Sequence, residues 1–424
     1  MKRYSEYKDS GVKWIGEIPG HWNAVSLKRV VKLINEKSNE QNIPYIALEN
    51  IESFTGKILP LNEIEPDSIC NKFKKDDVLF CKLRPYLTKC VSPSFDGKCT
   101  SELLVLRNFN GVANYLKYIL LSPKLVMDIN ASTYGAKMPR ANWNYIGLCH
   151  VPLPPLPEQE AIVTYLDTKV AKIDEYISIA EKKIAALEEL KQTIIAEAVT
   201  RGIHKDVPMK DSGVKWIGMI PEHWKVMRLK KVAKIYSGNG FKISLQGCSE
   251  GDYPFYKAGE LNKSGIYINK SANYVSNRIV KEENLTTIPS HSILFPKIGE
   301  AMKKNGRKIN QSSCCIDNNC GALSILCHKE MNNVFFYYIT KCIDMAYYDN
   351  GGTIPCLNTQ KLLSEFVAIP YLEEQQEIVT YLDSKVANIN QLCQAERSQI
   401  EKLKEYKQRL ISDVVTGKVK VTND

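Results

Sequence analysis

Apolar residues recur in alternating steps of four and three through two long stretches of the chain. In the first, Leu166, Val170, Ile173, Ile177, Ala180, Ile184, Leu187, Ile194 and Ala198 fall on one stripe, interrupted by Lys191. In the second, the stripe is Leu382, Val386, Ile389, Cys393, Glu396, Ile400, Leu403, Lys407, Leu410 and Val414. This is the a/d seam of a heptad repeat. Neither stretch has an internal Gly or Pro; Pro157 precedes the first, and Gly202 and Gly417 close the two. Two long helices are predicted, at residues 158–202 and 374–424. A helix of about 43 residues is roughly 65 Å long. Parallel pairing would require the chain to travel that distance back before the second helix, so the seams are read as an antiparallel pair. Lys191 and Lys407 hold equivalent seam positions. Either they fix the register, or they sit at a frayed edge and extend their charge to water.

Outside the helices the period changes. Short β-type runs broken by turns appear in IPYIALENI, DDVLFCKLRPYLTKC and CTSELLVLRNF, followed by a helical pattern at residues 114–129. The order recurs in HSILFPKIGEAMKKNGRKI, GALSILCH and the helical VFFYYITKCIDMAYY. Two mixed heads follow, at residues 1–157 and 203–373. The fold class is α+β: two globular mixed α/β heads separated by two long antiparallel coiled-coil helices, with an approximate two-fold repeat.

The repeat is explicit in the sequence. KDSGVKWIGEIPGHWNAVSLKRVVKLI at 8–34 matches KDSGVKWIGMIPEHWKVMRLKKVAKIY at 210–236 in 17 of 27 positions, far beyond chance. EQEAIVTYLDTKVAKID at 158–174 likewise matches EQQEIVTYLDSKVANIN at 374–390. The segments between these anchors look unrelated. Duplication followed by drift should blur frame and head alike. A constant frame with variable heads suits a constant partner and two different recognition tasks.

Charge sharpens this picture. Of the net +10, the heads carry +6 and +7, while the helices carry −3 and 0. Positive charge confined to the heads is expected if they meet phosphates and the helices do not. The 13 cysteines show no paired framework, and the polar N-terminus has no apolar signal core, so reduced thiols in a cytoplasmic protein are expected. No apolar run is long enough to span a membrane. Cys314, Cys315, Cys320, Cys327 and His328 cluster loosely, but without zinc-module spacing; buried strand cysteines are the reading.

In each head a predicted strand runs into a basic turn: Lys82, Arg84, Tyr86 and Lys89 in the first, Lys297, Lys303, Lys304, Arg307 and Lys308 in the second. Arg can pair bidentately with guanine edges, Lys with phosphates, and Tyr can stack. Either turn alone also fits an ordinary solvated loop. A later Gly-containing loop adds Lys137, Arg140 and Asn142. Its counterpart offers Asn350, Thr353, Asn358 and Gln360.

These features together resemble the specificity subunit of type I restriction–modification systems. The resemblance spans nearly the whole chain. It is carried by the duplicated GVKWIG-x-IP-x-HW segment, the VLFCKLRPYLTKC and ILFPKIG turns, and PLPPLPEQEAI opening the first helix. The second helix opens with IPYLEEQQEI, which lacks the double proline. The resemblance implies that the heads are target-recognition domains, each reading half of a split, asymmetric double-stranded DNA target. It implies a spacer of paired helices that docks two modification (HsdM) subunits, which use S-adenosylmethionine to methylate adenine. It also implies separate restriction (HsdR) subunits, which use ATP and Mg, and no cofactor or catalytic residue in this chain. No adenine-methylation tetrapeptide and no Walker-type loop occurs. The alternatives are a methyltransferase or nuclease with built-in recognition heads, and a coiled-coil scaffold that binds only protein.

Overall fold

The computed structural model describes residues 3–61 and 69–422. The chain divides into two compact units, Met1–Lys182 with Ala395–Asp424, and Lys183–Gln394. The two long helices, Leu156–Arg201 and Leu372–Val415, each contribute to both units.

In the first unit, strand Leu103–Arg107 pairs antiparallel with Val78–Cys81 on one side and Lys32–Ile34 on the other. Its alternate residues bury Leu103 and Val105 in a core with Leu79, Phe73 and Ile46. In the second unit, Cys320–Ile325 pairs antiparallel with Ile293–Pro296 and Ala233–Ser237 in the same arrangement. The helical run expected at residues 114–129 is broken into Ala113–Leu120 and Pro123–Ala131. Pro123 has no amide to continue the first helix and instead occupies the first turn of the next. The run VFFYYITKCIDMAYY likewise divides, into helix Asn333–Cys342 and a 3-10 turn at Met345–Tyr348.

The repeated anchors clasp the start of a long helix in each unit. Trp22, fully buried, donates from Nε1 to Glu158 at 3.0 Å, and His21 Nε2 lies 2.5 Å from the same carboxylate. Trp224 and His223 hold Glu374 at 3.1 and 2.7 Å. The buried Gln159 amide donates to Pro154 O and accepts from Val112 N; Gln375 donates to Pro370 O and accepts from Asn332 N. Further along each helix, Tyr118 donates to Asp167 at 2.5 Å and Tyr338 to Asp383 at 2.7 Å. Each clasp satisfies helix-start groups that burial would otherwise leave unpaired.

Within each unit the two helices run antiparallel. In the first, residues 4–7 touch both Glu158 and Gly417, while Asp174 meets Lys407 at 2.7 Å. In the second, Lys191 meets Asn390 at 3.1 Å and His204 meets Glu377 at 3.0 Å. The seam lysines therefore occupy matched places but have different partners. Lys407 is buried against a carboxylate, while Lys191 donates to an amide and also pairs with Glu188.

Lys57 reaches Asp174 too, at 2.7 Å. Burial alone would raise the Asp174 carboxyl, but the two ammonium groups hold it below the ordinary 3.8. A depressed folded pKa stabilises above the unfolded value and loses that stabilisation as pH falls through the folded one. Urea unfolding of the wild type should therefore show an acid-limb loss below about pH 4. Asp174→Asn should remove that component and cost about 1–3 kcal/mol at neutral pH. An unchanged acid limb in the variant would contradict the pairing.

Candidate nucleic-acid interface

Each basic turn is locked to the Gly-containing loop of its own head, backbone to backbone. In the first head, the Arg84 amide donates to Pro139 O at 2.7 Å and Ala141 N to Lys82 O at 2.9 Å. In the second, Gly299 N donates to Pro355 O at 2.8 Å and Leu357 N to Lys297 O at 2.9 Å. The loops themselves are closed hairpins. Tyr134 and Arg140 exchange both backbone bonds, and Asn350 N donates to Cys356 O. Two short rungs thus fix a turn and a tip into one ledge in each head.

The same ledge carries different side chains. Arg84 stands where the other head has Gly299, and both backbones are left-handed, at φ 47° and 72°. For Arg this conformation costs roughly 1–2 kcal/mol. Such strain is concentrated at ligand-contacting positions. Lys82, Arg84, Lys137, Lys297 and Lys304 make no ion pair with any described residue. Lys137, Lys303, Lys304, Tyr86 and Thr353 are exposed. Asn142 and Asn358 sit at the ledge edge, where each side chain caps a short helix, at Asn144 N and Lys361 N.

Several expected contacts are engaged internally. Arg307 is only 2% exposed; its guanidinium donates to Gly306 O, Asn305 Oδ1 and Ile343 O, and burial pushes its pKa down to about 9. Lys308 is buried to the same degree and bonds Ser264 O and Gly265 O, both at 2.5 Å; burial lowers its pKa as well. Both belong to the interior of the second head rather than to its surface. They lie there because strand Lys308–Asn310 is an inner strand of a five-stranded sheet. Lys89 donates to Leu48 O, Arg140 is held by Glu102 at 3.0 Å, and Lys303 pairs with Glu300 at 2.6 Å.

Cys314, Cys315 and Cys320 are buried thiols. Among the described residues no cluster of His, Cys, Asp or Glu is placed to hold a metal ion, and no helix is long and apolar enough to cross a membrane.

Residues 221–402 match the family model described as the type I restriction modification DNA specificity domain. The Type I restriction enzyme MjaVIII specificity subunit of Methanocaldococcus jannaschii is 27% identical over 352 residues, covering 77% of this chain and 75% of that protein. The MjaIX specificity subunit of the same organism is 22% identical across 98% of this chain and 97% of its own length. Over most of its length the chain is similar to type I restriction enzyme specificity subunits. A chain from a structure of type I R-M complex assembly and conformational transition has the same fold, with a TM-score of 0.71 at 18% identity, covering 94% of this chain and 98% of that chain.

The apolar side chains at the ledge tips escape a reading of the sequence alone. Met138 is 50% exposed and Ile354 67%. They hold the same position in GAKMP at 135–139 and GGTIP at 351–355. The shared pattern is a Gly, two variable residues, an apolar residue and Pro. It is short, and the hairpin bonds place the apolar residue at the same point of both tips.

Proposed function

We propose that the chain reads a split, asymmetric DNA target, each head contributing one half through its ledge. It acts as the sequence-reading, non-catalytic subunit of a type I restriction–modification enzyme. The carrying observation is that one backbone ledge recurs in both heads with different side chains, Arg84 and Lys137 on one, Gly299 and Thr353 on the other. A common scaffold with exchanged surface groups suits two readings of different sequence. The proposed DNA-facing groups are Lys82, Arg84, Tyr86, Lys137 and Asn142 in the first head, and Lys297, Lys303, Lys304, Thr353 and Asn358 in the second. Lys89 and Arg140, already engaged, support the first ledge. The paired helices serve as spacer and docking frame for two modification subunits, which supply S-adenosylmethionine chemistry. ATP and Mg belong to the restriction subunit.

Two kinds of side chain should fail differently. Arg84→Ala removes a bidentate pairing with a base edge, relaxing one half-site at a cost of roughly 1–3 kcal/mol. Arg84→Gly removes the same guanidinium without backbone strain and should relax the same half-site. Lys303→Ala with Lys304→Ala should weaken binding on all sequences and reduce the salt slope by about one for each phosphate that is no longer neutralised. Binding isotherms on target and random duplexes across a salt series check both. Equal half-site preference in Arg84→Ala and wild type would remove the ledge from the reading.

A further inference from the structure

Resting on this reading of the ledge, we propose that Met138 and Ile354 are wedges that insert between base steps of duplex DNA, one in each half-site. Both are large apolar groups exposed at a tip beside basic or polar neighbours, Lys137 in one head and Thr353 in the other. The backbone holds both tips in place. Each tip begins at a glycine with positive φ, Gly135 at 91° and Gly351 at 78°, and ends at a proline whose carbonyl is bonded to the turn. Unpaired cations at Lys82, Arg84 and Lys137 draw a polyanion to the first tip, and Lys297, whose carbonyl accepts from Leu357 N, serves the second.

The distribution of side chains separates a wedge from a reader. Two heads that read different sequences must differ at base-reading positions, as Arg84 and Gly299 or Lys137 and Thr353 do. The position after Lys137 and Thr353 does not differ in kind: it is apolar and solvent-facing in both. An apolar group has no hydrogen bond with which to discriminate bases. It can separate a base step by filling the gap, and that service is the same whatever sequence each head reads. Opening the stack would lower the barrier to exposing an adenine for methylation in either half-site.

The test uses the full chain with its modification subunits and a duplex bearing the target mapped from methylated DNA. 2-Aminopurine is placed in turn at each step of both half-sites. Wild type should raise fluorescence at one step per half-site. Met138→Ala should lose the signal in one half only and bind roughly tenfold more weakly. Ile354→Ala should do so in the other. Met138→Leu should retain both signals. A single mismatch at the wedged step, which is already easier to open, should restore most of the missing affinity. Alanine variants that match wild type in signal and affinity on a bound duplex would overturn the wedge alone. So would reproduction of the loss by replacing thymine with uracil, which would make each side chain a partner of a thymine methyl. A wild-type assembly that bound no duplex would overturn the DNA-reading account and the wedge with it.

Discussion

Exchanging residues 35–157 for the corresponding segment of a relative should change one half of the methylated sequence and leave the other half intact. The segment holds the first ledge and the strands that carry it, while Trp22 and Glu158 stay outside it. The clasp between them therefore survives the exchange. Among the bonds that cross the cut are Gln159 to Val112 N, Tyr118 to Asp167, and Tyr115 to Val415 O. The Gln159 and Tyr115 bonds have a backbone group at one end. The Tyr118 bond needs a particular side chain, and the second head keeps it in Tyr338. Donor segments with tyrosine at that place should assemble, and segments without it should assemble once it is restored. The readout is the sequence around methylated adenines, since each head is expected to act on its own half-site. A hybrid that folds and assembles yet reads neither parental half would contradict independent heads.

Trp22→Ala should unfold the first unit at physiological temperature. Trp22 is completely buried, and replacing such an indole with alanine costs about 3–5 kcal/mol. The change also deprives the Glu158 carboxylate of a donor. A domain has about 5–15 kcal/mol of stability to lose. Trp22→Phe keeps most of the packing and loses the charge-assisted bond, so its cost should be nearer 1.5–3 kcal/mol. Trp224→Ala should act in the second unit as Trp22→Ala does in the first. Limited proteolysis with identification of the released fragments separates the cases. Cleavage should concentrate within 3–150 for Trp22→Ala and within 205–370 for Trp224→Ala. Protection of both units in Trp22→Ala would show that the anchors are not what holds the frame.

The frame is legible in the sequence because it is local and repeated. A heptad stripe needs only a few turns of sequence to declare itself, and GVKWIG-x-IP-x-HW announces its own copy. The role of that segment is not legible. Trp22 and Glu158 are more than a hundred residues apart, and nothing in either stretch names the other. The ledges show both sides of this. Lys82 and Arg84 can be read as a basic turn, and GAKMP as a loop. Their union depends on two backbone bonds, which leave no trace in side-chain identity. Arg307 and Lys308 mislead for a related reason. Charged residues normally face water, but the second head buries these two and directs their donors to carbonyls. Their composition matches that of a surface turn. Only the position of Lys308–Asn310 inside a sheet distinguishes them. Lys407 can be placed on the seam, but its partner Asp174 lies on the other helix, so register alone decides between an ion pair and an exposed end.

Mapping methylated adenines in DNA from cells that carry this chain with the proposed modification subunits tests the split reading most directly. Two short, unlike sequence elements separated by a fixed unread gap are expected. Arg84→Ala should relax one element and Lys297→Ala affect only the other. A single continuous motif, or both elements relaxing together in either variant, would contradict it.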